Sequence, residues 1–255
     1  MDGGSDRASG GSGARTPAHD VAAGVTADPP VVELRDAVAV LGSFPALAGA
    51  TVTVSAGEIV LLRGPNGAGK TSLLRLCAGL LPLARGEGRV FGFDLTTEAA
   101  SVRPRVGMLG HRNGLYGDLS VVENVKFWGA TVAATSTEIN EAMKRLGVDG
   151  RLRTVPVSRL SAGQKRRTAL ACLVARRAEL WLLDEPHAGL DAQGRDELDA
   201  VLQQAVASGA TVIIASHELE RAGSLAHRIV DVVAGQTSDA PINDIAGYGT
   251  VGDLS

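Results

Sequence analysis

One stretch constrains this chain more than any other: Gly64-Pro65-Asn66-Gly67-Ala68-Gly69-Lys70-Thr71. It follows the apolar run Glu58-Ile59-Val60-Leu61-Leu62 and precedes Leu73, Leu74, Leu76 and Leu80 at helical spacing. A strand, a glycine-rich turn and a helix in that order, with GxxxxGK[ST] in the turn, make a phosphate-binding loop. Glycines let several backbone N–H groups converge on phosphate oxygens. The helix N-terminus that follows adds partial positive charge. Lys70 is placed for the β and γ phosphates, Thr71 for Mg²⁺, and Ser72 follows in the same first turn. Taken alone, the loop predicts nucleotide binding and leaves kinases, GTPases and motor ATPases open.

The rest of the chain narrows that choice. Leu180-Trp181-Leu182-Leu183 and Thr211-Val212-Ile213-Ile214-Ala215 read as further buried strands, Thr51–Val54 as a half-buried one, and Arg228–Val233 as the last. The first of these ends in Asp184-Glu185. A strand delivers carboxylates to the sheet edge where ligands bind, so Asp184 is expected in the Mg²⁺ shell and Glu185 beside an attacking water. Between about Ser120 and Arg177 the pattern is helical throughout. Ser120 with Glu123 forms a capping box for a helix through Trp128. Ile139, Ala142, Met143 and Leu146 recur at helical spacing until Gly147. Parallel strands interrupted by helices predict a two-lobed α/β domain.

Leu160-Ser161-Ala162-Gly163-Gln164 precedes the acidic strand. Ser161 and Gln164 again have capping-box spacing, so a helix starts there, and its tip with the Gly163 N–H forms an anion site. The order of phosphate loop, LSAGQ, LLDEP, Gly189-Leu190-Asp191 and Ser216-His217 resembles the nucleotide-binding domain of ABC ATPases over about residues 31–235. Ala162 stands where the family signature has glycine. The resemblance implies a P-loop NTPase (RecA-like) core with an N-terminal antiparallel β subdomain and an inserted α-helical subdomain at about 112–178. It implies ATP and Mg²⁺ as ligands, and a head-to-tail dimer in which Ser161, Gly163 and Gln164 of one copy meet the γ phosphate held by the other. Asp191 then belongs to the loop between the two sites, and His217 is the switch histidine of catalysis beside Glu185. His19, His187 and His227 read as surface or incidental histidines.

Two further places depart from the family pattern. His111 stands where many members carry a glutamine that contacts the metal-bound water or γ phosphate. No aromatic residue occupies the adenine-stacking position; Leu41 is there, and nearby Phe44 is expected in the core or a loop. Comparable affinity for ATP and GTP would follow from a missing stacking partner.

The stretches Leu109-Gly110-His111, Asp118–Asn124, Leu160–Arg167 and Leu180–Pro186 are similar to those of haem-exporter ATP-binding subunits of cytochrome c maturation. The resemblance implies transmembrane permease subunits as partners, met through the helical lobe near Tyr116 to Trp128. Other small-substrate or multidrug exporters, soluble non-transport ABC ATPases and a non-hydrolysing regulator are the alternatives. The formal net charge of −3 offers no basic footprint for nucleic acid. No apolar run approaches the roughly 18–20 residues that cross a bilayer, and no secretory signal is evident. A cytoplasmic protein, peripheral on the inner face of the membrane through its partners, is expected. Cys77 and Cys172 sit in apolar stretches as small buried residues. Residues 1–30, rich in Gly, Ser, Ala and Asp, and a Gly-containing tail over 236–255 are expected to be disordered.

Overall fold

In the computed structural model, residues 29–241 are described. Two sheets carry the fold. The first is antiparallel and four-stranded, formed by β1 (Val32–Leu41), β2 (Phe44–Val54), β4 (Arg85–Val90) and β5 (Phe93–Asp94) in the order β2-β1-β4-β5. The second has six strands: β3 (Ile59–Arg63), β6 (Val106–Leu109), β7 (Leu180–Asp184), β8 (Thr211–Ala215), β9 (Arg228–Val233) and β10 (Gln236–Ala240). Their order is β10-β9-β3-β8-β7-β6, parallel except at β10.

The helices are α1 (Lys70–Cys77), α2 (Ala99–Val102), α3 (Val121–Ala130), α4 (Ser136–Arg145), α5 (Ala162–Ala175), α6 (Ala192–Ala207) and α7 (Leu219–Leu225). α3, α4 and α5 pack on one another between β6 and β7. Their starts are set by side chains: Ser120 with Glu123, Thr135 with Glu138, and Ser161 with Gln164 each form a reciprocal capping box. Gly147, at φ 59, follows the end of α4.

The core divides across the six-stranded sheet because side chains alternate faces along a strand. Ile59, Leu61, Trp181, Leu183, Val212 and Ile214 pack against α3–α6. Val60, Leu62, Leu180, Leu182, Ile213 and Ala215 pack against α1 and the antiparallel sheet. With both faces covered, β3, β7 and β8 read as unbroken apolar runs and are buried at every position. The sheet therefore holds the carboxyl ends of β3, β7 and β8 side by side, which is where ligands bind in such folds.

The expected tail begins too early. Residues 236–240 form β10, pairing with β9 from Gln236↔Val233 to Ala240↔Ile229. A polar edge strand carries little apolar signal, so QTSDA reads like a loop. The expectations for residues 1–28 and 242–255, His19 included, fall outside the described residues.

Candidate active site

The loop between β3 and α1 is shaped by close backbone approaches. Gly64 has φ 154, and a Cβ there would stand 2.1 Å from the Val232 carbonyl oxygen. Gly69 has φ 112, and a Cβ there would stand 2.7 Å from the Ala46 oxygen. Only glycine fits either position. The Ala68 carbonyl accepts from Gly235 N–H at 2.8 Å, tying the loop to the β9–β10 turn.

Lys70 is buried, and its ammonium donates to the Gly64 and Pro65 carbonyls at 2.6 and 3.0 Å. Burial holds its pKa below the ordinary lysine value, against the opposite pull of Glu185 and Asp184. The Thr71 hydroxyl donates to Asp184 Oδ2 at 2.8 Å. Glu185, just past the end of β7, adopts φ 48, a conformation costing about 1–3 kcal/mol for a non-glycine residue. Its N–H is fixed by the Ala215 carbonyl at 2.8 Å. Its carboxylate accepts from the His217 N–H at 3.2 Å and the Ser216 hydroxyl at 3.4 Å, with His217 Nε2 3.5 Å away. His217 Nε2 also lies 2.7 Å from Asn66 Oδ1.

These groups line one cleft of about 600 Å³, formed by Asn66–Ser72, His111, Asp184, Glu185 and His217, with Leu41, Phe44, Pro45 and Ala46 at the β1–β2 end. Gly64 and Pro65 form the wall behind Lys70. Phe44 is neither core nor remote: it is 79% exposed at this cleft. The neighbouring β-hairpin lifts it out of the core, which a pattern of apolar residues alone does not reveal.

Ser161, Gly163, Gln164 and Asp191 line a different hollow, with Gly147, Leu152, Arg167, Gly189 and Leu190. It shares no lining residue with the first cleft. Ser161 Oγ accepts from Gln164 N–H at 3.2 Å, and Gln164 Oε1 accepts from Ser161 N–H at 3.0 Å. Asp191 caps α6, accepting from Gly194 N–H at 2.8 Å, and its side chain faces solvent. One chain thus carries two separate surfaces at glycine-containing helix starts.

The model of the family described as ABC transporter matches residues 47–188, more than half of the chain. The chain belongs to the ABC transporter family. Its relatives include the cytochrome c biogenesis ATP-binding export protein CcmA of Paramagnetospirillum magneticum, 39% identical over 72% of this chain and 86% of that protein. The CcmA of Methylococcus capsulatus is 40% identical over 66% of this chain and 82% of its own length. Among solved structures, a dimeric bacterial ABC transporter cassette superposes with TM-score 0.75 at 22% identity, covering 83% of this chain and 98% of that one. That likeness shows that the fold is the ABC fold.

In this ABC chain, a residue that pattern reading passed over organises the site. Arg166 is buried on α5 and donates to the carbonyls of Asp184 (2.7 Å), Glu185 and Pro186 (3.1 Å), and to Gly110 O and Asn113 Oδ1 at 2.9 and 3.0 Å. It joins the ends of β6 and β7 to the helix that starts at Ser161. Burial pushes its pKa down to about 10, opposed by Asp184 and Glu185. Its place three, four and seven residues before Ala169, Leu170 and Leu173 puts an arginine on an apolar face, the one signal that could have found it. His187 is also misplaced by the sequence reading: it is 1% exposed. His227 does lie on the surface, where its Nδ1 accepts from the Ile59 N–H at 2.8 Å.

Proposed function

We propose that this chain is the ATP-binding and ATP-hydrolysing subunit of an ABC transporter, working with separate membrane subunits in haem export for cytochrome c biogenesis. One observation carries the hydrolytic part: Lys70, the Thr71–Asp184 pair, Glu185 and His217 meet in one cleft on the glycine loop. The backbone N–H groups of Gly67, Ala68 and Gly69 with Lys70 bind the phosphate chain.

Thr71 and Asp184 would hold Mg²⁺, and their chemistry suits it: a hydroxyl and a carboxylate, both hard oxygen donors. Among the described residues no three His, Cys, Asp or Glu gather into a metal site. This fits an ion that relies on phosphate oxygens and water for its remaining ligands. When bound, Mg²⁺ neutralises charge on the transferring phosphoryl group. Glu185 orients the attacking water and takes its proton. His217, braced by Asn66, contacts the γ phosphate. His111, at the mouth of the same cleft, takes the place of the usual glutamine.

At the capped helix tip Ser161 is exposed and Gly163 and Gln164 are half-buried, and the tip lies away from its own cleft. That separation supports a head-to-tail dimer in which each tip closes over the partner's nucleotide, and Asp191 lies between the sites. Hydrolysis removes the shared ligand and reopens the dimer. Tyr116 and Phe127, 47% and 46% exposed and stacked edge to face at 4.9 Å, offer the helical lobe's surface to the membrane subunits. Among the described residues no helix is long and apolar enough to cross a membrane. We place the chain at the cytoplasmic membrane face through those partners. The similarity to CcmA supports haem export over other exporters.

Glu185→Gln tests the reading. It should retain ATP binding, lose turnover by about 100-fold or more, and elute as an ATP-dependent dimer in size-exclusion chromatography. Normal turnover in that variant overturns the assigned base. Co-purification with a haem-handling membrane protein is the expected result for the export role, and recovery with an unrelated permease overturns it.

A further inference from the structure

His187 lies two residues after Glu185 and four before Asp191, and its ring is buried. Its Nε2 is 2.7 Å from Asp199 Oδ1 on α6. A carboxylate only accepts, so the ring donates from Nε2. Nδ1 is then a buried ring nitrogen with no hydrogen-bond partner among the described residues. Such an orphan costs stability, so the imidazole is not at this position for its own hydrogen-bond economy.

Asp199 is shared. Its other oxygen accepts from Arg221 on α7, which also holds Asp196 at 2.9 Å. α7 follows directly on Ser216-His217-Glu218, and Glu218 is tied to α6 a second time by Arg195 at 3.3 Å. At its other end the same segment is bonded to the Glu185 carboxylate. The contacts close a ring: Glu185 to His187 along the chain, His187 to Asp199, Asp199 to Arg221, α7 back to His217, and His217 to Glu185. The His187 carbonyl also accepts from Leu190 N–H at 3.1 Å, which extends the ring into the turn that ends at Asp191.

We infer that His187, acting through Asp199 and Arg221, is a positioning residue that couples the His217 segment to the Glu185–Asp191 loop. This rests on the reading of Glu185 and His217 as hydrolytic groups and of the Asp191 loop as the side facing the partner site. Movement of His217 on meeting a γ phosphate shifts α7, and the shared carboxylate passes that shift to the loop facing the second nucleotide. Two sites in a dimer thereby sense each other through one buried imidazole. Coupling of this kind needs a physical element that both sites bias, and the Asp199 carboxylate is that element.

The test compares His187→Phe, which keeps the ring volume and loses the donor, with His187→Gln, whose amide can donate to Asp199. In the phenylalanine variant kcat should fall about tenfold, with ATP affinity within twofold and loss of cooperativity in ATP concentration. The glutamine variant should recover most of both. A second readout is hydrogen exchange of the peptide 216–225 in the nucleotide-free protein. It should speed up in His187→Phe and in Asp199→Asn, although neither substitution lies in that peptide, and stay slow in His187→Gln.

Unchanged exchange in 216–225 in both Phe and Asn variants overturns the inference. So does equal loss of kcat in the Phe and Gln variants, which marks a packing role. Should the unmodified protein fail to hydrolyse ATP, the functional reading falls, while the exchange experiment still decides whether His187 couples the two segments.

Discussion

The phosphate loop and the LSAGQ tip are both glycine-containing helix starts suited to anions, and they are built in opposite ways. At the loop, glycine is demanded by the chain itself: Gly64 and Gly69 have positive φ and backbone oxygens where a Cβ would stand. At the tip, Gly163 is helical, and a Cβ would meet its nearest atom, the Gly189 oxygen, at 3.2 Å. The loop is surrounded by titratable groups within its own chain, whereas the tip's capping pair is Ser161 and Gln164. The contrast sets a loop whose titratable groups lie within its own cleft against a helix tip whose capping pair carries none. In the proposed head-to-tail dimer a small residue at the tip leaves room for the partner's nucleotide, while a small residue at the loop serves the fold.

The sharpest way to break this comparison is Gly64→Ala. The added methyl group meets a backbone oxygen at 2.1 Å in a segment held by β3 and β9. Destabilisation of about 4 kcal/mol is expected in denaturant unfolding, near the upper range for a single substitution. A near-normal midpoint would show that the loop can move, and that its glycines are not fixed by the fold. Next in size is Lys70→Ala. Removing the one ammonium among the described residues of the cleft lining should weaken ATP binding by roughly 100-fold in calorimetry. Unchanged affinity would contradict the phosphate role of the loop and leave the two sites equivalent.

Ser161→Ala addresses the other side. Loss of the cap should lower stability by about 1 kcal/mol, with ATP binding to the isolated chain unchanged because the tip is not part of that cleft. ATP-dependent dimerisation should weaken. If the substitution instead lowered nucleotide affinity in the monomer, the separation of the two surfaces would be lost.

The same division explains what could be read before any coordinates. The phosphate loop and both capping boxes at Ser120 and Ser161 are local features, set by residues no more than seven apart in sequence, and they are written plainly. β3, β7 and β8 are legible because burial on both faces makes them apolar throughout. The antiparallel sheet is not: β4 is RGEGRV, and β1 has register shifts between Leu34 and Val38, with Asp36 at φ 47, so its alternation breaks. β10 is polar because it lies at an edge. Arg166 and His187 escape for a different reason. Their roles come from backbone carbonyls and carboxylates brought together by the fold from 18 or more and 12 residues away. At His187 no residue type announces that environment, and at Arg166 the local signal is confined to an arginine on an apolar helix face. Phe44 shows the reverse case, an apolar residue expected in the core or a loop that the hairpin turns outward to the cleft.

The smallest expected effect is the most discriminating, because it depends on charge alone. Burial holds the Lys70 pKa below the ordinary lysine value of 10.5. Between the folded value and 10.5 the unfolded chain binds more protons, so the stability penalty from this residue shrinks as pH rises through that window. Nucleotide binding has the opposite sign. Phosphates favour the ammonium, so affinity falls as pH climbs through the folded value and the lysine loses its proton. Lys70→Arg keeps a charge at every such pH. As pH rises toward 10.5 the unmodified protein should lose ATP affinity earlier than an ordinary lysine would dictate, and the arginine variant should stay flat even if weaker overall. Ser161 and Gln164 do not titrate, so the tip's share of dimer stability should not follow that curve. Equal slopes in the two proteins would place the titrating group elsewhere, and a dimerisation constant that tracked the lysine would mean that the tip and the loop are not chemically independent.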